Sequence, residues 1–396
     1  MSASADPTPM PQTIVEVDLA CIDNNLRALK NACPDTTRLM AVVKANAYGH
    51  GAVIVAKQAL ASGASCLAVA RISEAAELRQ AGIGAPILLF GDLHEDHVAY
   101  AAEQDLSITI SSDADAFRLS QKAIELGITL KAHVKVDTGM GRLGICAGPL
   151  LDTESSPTGL DRTADDILDI VNLGNIEVEG LYTHFANADC LDKTHALHQL
   201  EIFSNLLAAL KQRGFEPEIR HAANSAATME MPQAHLNMVR TGIAMYGLWP
   251  SEEVDKTQFL LKPAMSIHSR IIHLKHVPAG FKVSYGSTFA TERPSRIATV
   301  PIGYADGYSR LLSSKGSMLV RGIAVPVVGR VCMDFTMIDV TDVADAVLGD
   351  NVVILGCQGD ACITADEIAR LTGTINYEVV SSLTRRMPLR HIHPKE

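Results

Sequence analysis

Short apolar runs alternate with longer amphipathic segments between residue 39 and about residue 248. Eight of these runs are nearly continuous in apolar residues, which is typical of parallel strands buried on both faces of a sheet. The segments between them carry helix signals; for example, Ser73 is placed to cap a helix over EAAELRQAG, with Glu74 near its positive end. The eight runs are LMAVVKAN, CLAVA, PILLFG, SITISS, LKAHVKVDTG, VEGLYTHFA, EIRHAANS and NMVRTGIAMYG.

Eight strand–helix units are the number that closes a (β/α)8 barrel of the TIM type. The same alternation also fits a doubly wound open sheet, so the pattern alone leaves both arrangements open. We expect the α/β class and favour the closed barrel.

After Pro250 the pattern changes to shorter runs that are rich in β-branched residues and turn glycines. Such runs, as in SRIATVPIGYADGY and NVVILGC, predict an antiparallel β domain. We therefore divide the chain into a disordered tail at 1–12, a (β/α)8 barrel at 13–258 and a mainly antiparallel β domain at 259–396. The segment 13–20, which contains TIVEVD, is a candidate strand of the second domain.

The composition of the 396 residues, 47% hydrophobic and 20% charged, is that of a folded protein with ample core material. A formal net charge of −11 argues against binding to nucleic acid or to an anionic membrane. No apolar run is long enough to span a bilayer, and MSASADPTPMPQ lacks the features of a secretory signal. The eight cysteines form no CxxC pair, so we expect reduced thiols, a cytoplasmic location and no metal site.

Polar side chains recur at the ends of the predicted strands, where barrel enzymes place their active sites. Alone, each has an ordinary structural explanation, such as a lysine that extends to solvent or an arginine in an ion pair. Several of them at one end of one barrel indicate a functional site. These residues are Lys44, Arg142, His184, Asn224, Ser225 and Arg240.

Lys44 ends the first apolar run and indicates a specific chemistry. A primary amine can condense with a carbonyl to form a Schiff base, and burial at an apolar strand end favours the neutral amine that reacts. The common carbonyl partner is pyridoxal 5′-phosphate, which also needs a phosphate cradle. Ser225, the Gly242–Ile243 backbone and Tyr48 can supply uncharged donors for such a cradle.

Eight motifs in order, from about residue 13 to residue 390, together resemble the alanine racemase family. The resemblance covers both predicted domains and implies a pyridoxal-phosphate-dependent isomerase with a barrel followed by a β domain. It also implies a homodimer that interconverts L- and D-alanine and supplies D-alanine for the peptidoglycan of the cell wall. The motifs are AVVKANAYGHG, VKVDTGMGRLG, THFANAD, HAANSAA, MVRTGIAMYG, VSYGSTF, IGYADGY and GRVCMDF.

The resemblance implies a role for each matching residue. Lys44 would hold the cofactor and act as acid or base on one face of the substrate α-carbon. Tyr285 of the partner subunit would serve the other face, helped by His184. Arg240 would face the ring nitrogen, and because a guanidinium only donates, that nitrogen would stay unprotonated, which favours racemisation over transamination. The implied cofactor-binding residues are Lys44, Tyr48, His184, Asn224, Ser225, Arg240, Gly242, Ile243 and Tyr377.

A second implied set concerns the substrate carboxylate. Arg142 would contact it with a planar fork of donors, together with the backbone of Met333 and Asp334 from the partner subunit. Lys135 matches a lysine that some family members carry as a carbamate, which positions that arginine. Tyr304 matches a tyrosine at the entrance of the site.

Other hypotheses stay open at this stage. A racemase of serine, or one of broader amino-acid specificity, fits the same scaffold. A pyridoxal-phosphate-dependent decarboxylase generally sets a carboxylate against the ring nitrogen, whereas this chain offers Arg240. A carrier protein for the cofactor would lack the second domain, and a binding-only protein would not need two acid/base groups.

Overall fold

The structure, a computed structural model, describes residues 12–147 and 157–393. One compact unit spans Cys21–Pro263, and the described residues on either side of it form a second unit. The first strand, β1 (Ile14–Asp18), belongs to the second unit. Of the predicted tail at 1–12, all but Gln12 lies outside the described residues.

The first unit is built on a ring of parallel strands. These are β2 (Arg38–Val42), β3 (Cys66–Val69), β4 (Ile87–Leu89), β5 (Leu106–Ile110), β6 (Leu130–Asp137), the short β7 (Ile145–Cys146), which pairs with β6, then β8 (Ile176–Tyr182), β9 (Ile219–His221) and β10 (Met238–Thr241). β5 pairs with β6 and β10 pairs with β2, so the sheet closes. The predicted barrel is confirmed, and the open-sheet alternative is wrong.

Helices follow the strands in the chain. In the helix Thr194–Gln212, for example, the buried side chains Leu200, Phe203, Leu206 and Leu210 recur every three or four residues and form one apolar stripe. Burying each such side chain contributes roughly 1.5–3 kcal/mol. The helices of this unit are α1 (Leu19–Asn31), α2 (Ala52–Ala61), α3 (Ile72–Gln80), α4 (Val98–Glu103), α5 (Asp113–Leu126), α6 (Pro157–Val171), α7 (Thr194–Gln212) and α8 (Ser225–Glu230).

The start of α3 differs from the prediction. The helix begins at Ile72 with Arg71 at the N-cap, so Ser73 lies inside the helix and does not cap it. Glu74 takes part instead, because its carboxylate accepts the backbone N–H of Arg71 at 3.0 Å. A carboxylate suits this place because the first turn of a helix is electropositive.

The second unit is mainly antiparallel, as predicted. The elements are β11 (Met265–Arg270), β12 (His273–Val277), β13 (Lys282–Val283), β14 (Phe289–Ala290), β15 (Ser295–Val300), β16 (Ser317–Val320), β17 (Ile323–Pro326), β18 (Thr336–Asp339), β19 (Asn351–Gln358), β20 (Ala361–Ile363), α9 (Ala365–Thr372), α10 (Asn376–Ser381) and β21 (Leu389–Ile392). The largest sheet of this unit has the order β17-β16-β19-β11-β1-β21, in which β1 pairs antiparallel with β11 and parallel with β21. Short 3-10 helices of the two units lie at Glu95–His97, Pro232–Ala234, Ile243–Tyr246, Tyr285–Ser287, Tyr304–Asp306 and Arg310–Leu312.

Two cysteines on adjacent strands are bonded. Cys357 on β19 lies directly opposite Cys362 on β20, and the two form a disulfide. The prediction that all eight cysteines are reduced thiols is therefore wrong for this pair. Cys pairs five residues apart gave no signal in the sequence because a hairpin, not a CxxC motif, brings them together. Among the described residues, none of the helices is both long enough and apolar enough to cross a membrane.

Candidate active site

Lys44 follows β2 directly, and the residues after it form a turn of unusual hand. At all four residues of 45–48 φ lies between 52° and 54°, so this is one left-handed helical turn without a glycine. Such a turn costs roughly 1–2 kcal/mol per residue. Asn46 offsets part of this cost, since its side-chain oxygen accepts the backbone N–H of Ala52 at 2.9 Å. Strain of this kind persists at functional sites where the surroundings hold it.

The amine of Lys44 is half-buried. Burial lowers its pKa below the ordinary lysine value, the positive charge of Arg142 lowers it further, and the negative charge of Glu74 raises it. A lower pKa increases the neutral fraction of the amine, which is the form that attacks a carbonyl.

Arg240 lies within β10 and is only 3% exposed. Its Nη2 donates to the carbonyl oxygens of Thr183 and Ala222, both at 2.9 Å, at the carboxyl ends of β8 and β9. Its Nη1 donates to Nδ1 of His221 at 3.0 Å. Burial lowers the pKa of Arg240 to about 10, so the guanidinium remains a cation at neutral pH and acts only as a donor.

A chain of two buried histidines continues from this arginine. Because Nδ1 of His221 accepts from Arg240, the neutral ring carries its proton on Nε2, which donates to Nδ1 of His133 at 2.9 Å. Nε2 of His133 then lies 4.0 Å from the carboxylate of Glu179. Burial, with the charge of Arg240, lowers the pKa of His133 to about 4 and holds that of His221 well below its ordinary value. Both rings are neutral at pH 7.

His184 follows β8 and also contacts Arg240. Its Nδ1 accepts from Nη2 of Arg240 at 3.2 Å, so the neutral ring carries its proton on Nε2. Burial and the nearby positive charges, first that of Arg240, keep the pKa of His184 well below its ordinary value. Nε2 of His184 is therefore a hydrogen-bond donor.

Lys135 and Arg142 are linked by the loop that follows β6. Lys135 is buried, and burial, then the charges of Arg142 and Arg240, lowers its pKa to about 8. The carboxylate of Asp137 accepts the four backbone N–H groups of residues 139–142 at 2.8–3.1 Å. Burial raises the pKa of Asp137, but these bonds outweigh it and hold that pKa below its ordinary value. Asp137 thus folds the loop that carries the exposed Arg142.

Uncharged donors gather after β9 and β10. The N–H of Gly242 donates to Oγ of Ser225 at 2.9 Å, and buried Ile243 begins a 3-10 turn. A Cβ at Gly242 would lie 2.8 Å from Oη of Tyr48, so this close approach requires glycine. Burial raises the pKa of Tyr48 to about 12, which keeps its hydroxyl a neutral donor.

These groups fit pyridoxal 5′-phosphate. The barrel offers an amine of lowered pKa, a fixed cation that can face the ring nitrogen, and a glycine-dependent cluster of uncharged donors of the kind that holds phosphate. The side-chain oxygen of Asn224 already has a structural role, because Asn224 is the N-cap of α8 and its Oδ1 accepts the N–H of Ala227 at 3.0 Å. The binding role of Asn224 stays a prediction.

Tyr285 lies in the second unit, at the start of a 3-10 turn, and its side chain is 70% exposed. The turn is fixed by Ser284, which has a φ of 64° and donates from Oγ to the carbonyl of Arg330 at 2.6 Å. A large exposed aromatic held by a rigid turn is suited to contact another surface. The catalytic role of Tyr285 stays a prediction.

The other predicted residues of the second unit lie on two neighbouring segments and a helix. Tyr304 donates its backbone N–H to the carbonyl of Cys332 at 3.0 Å, which places it beside exposed Met333. Asp334 accepts from Arg386 at 2.7 Å. Tyr377 is half-buried on α10.

Sequence reasoning missed the residues that support the site. His133 lies inside β6, and His221 is the last residue of the short β9, just before the residues that had been selected. Asp137 lies in the motif VKVDTGMGRLG, in which only Lys135 and Arg142 had been assigned a role. The sequence did contain a signal for His133, because side chains alternate along a strand and His133 therefore lies on the same face of β6 as Lys135, which had been selected. Glu74 was noticed only for its place in a helix.

Comparison with known proteins agrees with this geometry. The chain matches the family described as alanine racemase, N-terminal domain, over residues 17–250, and alanine racemase, C-terminal domain, over 264–391. Alanine racemase from Desulfosudis oleivorans is 50% identical over 94% of this chain and 95% of its own length. That from Methanococcus maripaludis is 46% identical over 96% and 98%.

Solved structures agree as well. The crystal structure of alanine racemase from Bacillus anthracis with bound L-Ala-P has a TM-score of 0.89 and 41% identity, covering 97% of this chain and 96% of that one. Alanine racemase from Bartonella henselae with covalently bound pyridoxal phosphate has a TM-score of 0.84 and 28% identity, covering 96% and 100%. Together, the barrel with its appended β unit and these matches show that the chain is an enzyme of the alanine racemase family.

Proposed function

We propose that this enzyme interconverts L- and D-alanine with pyridoxal 5′-phosphate as cofactor, using Lys44 and Tyr285 of the partner subunit as its two acid/base groups. The observation that carries the proposal is that the barrel strands present both a lysine amine of lowered pKa, Lys44, and a buried arginine that can only donate, Arg240. The relatives named alanine racemase support the choice of substrate.

Residues of the barrel, together with Tyr377 of the second unit, would hold the cofactor. Lys44 would bind it covalently through its amine, and Arg240 would face the ring nitrogen. Tyr48, Ser225 and the backbone at 242–243 would hold the phosphate, with Asn224, His184 and Tyr377 nearby. When bound, the cofactor supplies the electron-withdrawing system that makes the α-proton of an amino acid removable.

Inversion requires a proton to leave one face of the α-carbon and another to arrive on the opposite face. Lys44 can serve one face because its lowered pKa increases the fraction of neutral amine, which is the form that can take a proton. Tyr285 of the partner subunit would serve the other face.

Tyr285 would need a hydrogen-bond donor to stabilise its phenolate once the proton has been given up. His184 would give that help: Arg240 contacts its Nδ1, which leaves the proton of the neutral ring on Nε2, and this N–H could donate to a phenolate oxygen. A hydrogen bond to the charged form favours that form. The exposed position of Tyr285 supports a homodimer in which each subunit completes the site of the other.

The substrate carboxylate would be held by Arg142 and by the backbone of Met333 and Asp334 of the partner subunit, with Tyr304 at the entrance. Lys135 would act on Arg142: as a carbamate it would replace a repelling cation by an anion, and its pKa of about 8 supplies the neutral amine that carbon dioxide needs. The D-alanine formed would supply peptidoglycan synthesis in the cytoplasm.

The test is circular dichroism of L- and D-alanine, each incubated with purified protein and cofactor. The proposal predicts that both solutions converge on zero ellipticity, and it fails if neither changes. Parallel incubations with L- and D-serine distinguish an alanine racemase from one of broader specificity. Carbon dioxide release would indicate a decarboxylase instead.

A further inference from the structure

The turn after Lys44 is held by a carboxylate on another strand–helix unit. Oε1 of Glu74 accepts the backbone N–H of Ala45 at 2.7 Å. Its Oε2 accepts the N–H groups of Ala70 and Arg71 at 2.8 and 3.0 Å. One side chain thus ties the residue directly after Lys44 to the loop that follows β3.

This tie acts on the strained part of the chain. Ala45 is the first of the four left-handed residues, and alanine has no polar side chain that could offset the cost of that conformation, as Asn46 has. The loop to which Glu74 fixes it directly follows β3, which pairs with β2, and the N–H of Val43 donates to the carbonyl oxygen of Ala68 on β3 at 2.9 Å. The backbone on both sides of Lys44 is therefore held against the same neighbouring strand.

Glu74 also has a charge to contribute. The groups that interact with the amine of Lys44 are Arg142 after β6, Lys135 on β6, His184 after β8 and Glu74 on α3. The first three are basic side chains and Glu74 is acidic. Burial and Arg142 lower the pKa of Lys44, whereas Glu74 raises it.

We propose that Glu74 is a positioning residue for Lys44: its carboxylate fixes the left-handed turn behind the lysine and sets the electrostatic environment of the amine. This inference deepens the proposed function and rests on it, since it matters for the reaction only if Lys44 carries the cofactor. Glu74 itself touches no reacting atom; it acts through the backbone of Ala45 and through its charge.

Three variants separate the two effects. Glu74→Gln keeps the length of the side chain but removes the charge and replaces one acceptor oxygen by a donor. Glu74→Asp keeps the charge but is too short to maintain all three hydrogen bonds. Glu77→Gln is the matched control, because Glu77 is exposed one turn further along the same helix and undergoes the same charge change.

Two measurements are made on the full-length chain freed of cofactor. Hydrogen exchange followed by mass spectrometry reports on the amides of residues 45–52. Reductive methylation across a pH series, with quantification of the Lys44 peptide, reports on the pKa of Lys44. Loss of a hydrogen bond to a charged group predicts exchange about tenfold faster in Glu74→Gln, together with a lower pKa of Lys44.

Glu74→Asp should show the faster exchange while its Lys44 pKa stays nearer that of the parent chain, and Glu77→Gln should change neither. The inference is overturned if Glu74→Gln leaves both exchange and the Lys44 profile unchanged, or if Glu77→Gln shifts them equally. Thermal unfolding identifies a variant that fails to fold; if Glu74→Gln does, Glu74→Asp carries the exchange test. If the parent protein, without any substitution, does not racemise alanine, this result contradicts the proposed function but not the role of Glu74 in positioning Lys44.

Discussion

Arg240 donates from Nη1 to Nδ1 of His221 at 3.0 Å, and this contact sets the protonation of a buried chain. Since arginine only donates, His221 must carry its proton on Nε2, and His133 must accept at Nδ1. A protonated His221 could not accept from Arg240. The ring facing the cationic arginine is therefore kept neutral by burial and by the arginine itself.

The buried neutral histidines around Arg240 predict that the stability of the protein depends on pH. His133, His184 and His221 have pKa values below the ordinary 6.5 in the folded state, and that of His133 is about 4. Below pH 6.5 these histidines bind protons in the unfolded chain but stay neutral in the folded chain. Their contribution to the free energy of unfolding is therefore fully present above pH 6.5 and is lost as the pH falls toward 4. Each histidine adds a slope of up to about 1.4 kcal/mol per pH unit.

The measurement is urea unfolding between pH 4.5 and 8. His221→Gln, which can keep an acceptor toward Arg240, should flatten the acid limb. The exposed His198→Gln is the control and should leave it unchanged. An equal acid limb in parent and His221→Gln proteins would show that other groups cause it.

Lys44→Ala should abolish the visible absorption of bound cofactor and the racemisation of alanine, because no other amine replaces it at the end of β2. Lys57→Ala, on the exposed face of α2, is the matched control and should keep both. Absorption spectra of the dialysed proteins decide the matter. Visible absorption retained in Lys44→Ala would assign the cofactor to another lysine.

Tyr285→Phe should keep the cofactor but slow racemisation by roughly 100- to 10,000-fold, the range for loss of a general acid or base. Tyr100→Phe in the barrel unit is the control. Incorporation of solvent deuterium is measured from L- and from D-alanine separately. Loss of one proton-transfer group should make the two directions unequal; equal incorporation from both enantiomers would remove Tyr285 from the mechanism.

Lys135 should react with carbon dioxide. Its neutral nitrogen would bond to the carbon and release one proton, leaving a carbamate anion beside two arginines; the pKa of about 8 makes that amine available. Carbon-13 NMR with labelled bicarbonate should show a carbamate resonance that Lys135→Ala lacks. The exposed Lys57→Ala should retain it. If the resonance is absent from the parent protein above pH 8, the lysine is unmodified.

Asp137→Asn should raise the KM for alanine by about tenfold or more while cofactor affinity stays the same, the effect expected for loss of a charge-assisted hydrogen bond. The amide can still accept from 139–141 through one oxygen, but its NH2 group would oppose the N–H of Arg142. Asp165→Asn, exposed on α6, is the control. An unchanged KM would mean that the loop is held by other contacts.

The sequence was informative where one side chain alone carries the chemistry. Lys44 and Arg240 could be selected because the strand ends of a barrel form its active site, and the eight apolar runs favoured the closed barrel over an open sheet. The left-handed turn at 45–48 could not be predicted, because only one of its four residues, Asn46, is of a type that favours positive φ. The hydrogen bond from the Ala45 N–H to Glu74 depends on a segment that is distant in the sequence. His221, Asp137 and the Cys357–Cys362 bond depend on pairing between segments that are distant or folded back on each other, which local patterns do not report.

The position of β1 between β11 and β21 has a consequence for biosynthesis. The ribosome makes residues 14–18 before any of the barrel, yet their two pairing partners emerge only after the barrel, at 265–270 and 389–392. The nascent chain must therefore carry an unsatisfied strand edge throughout translation of the barrel, a state prone to intermolecular pairing. Glu16 and Asp18 lie on this strand, and charged side chains on a strand edge disfavour such intermolecular pairing.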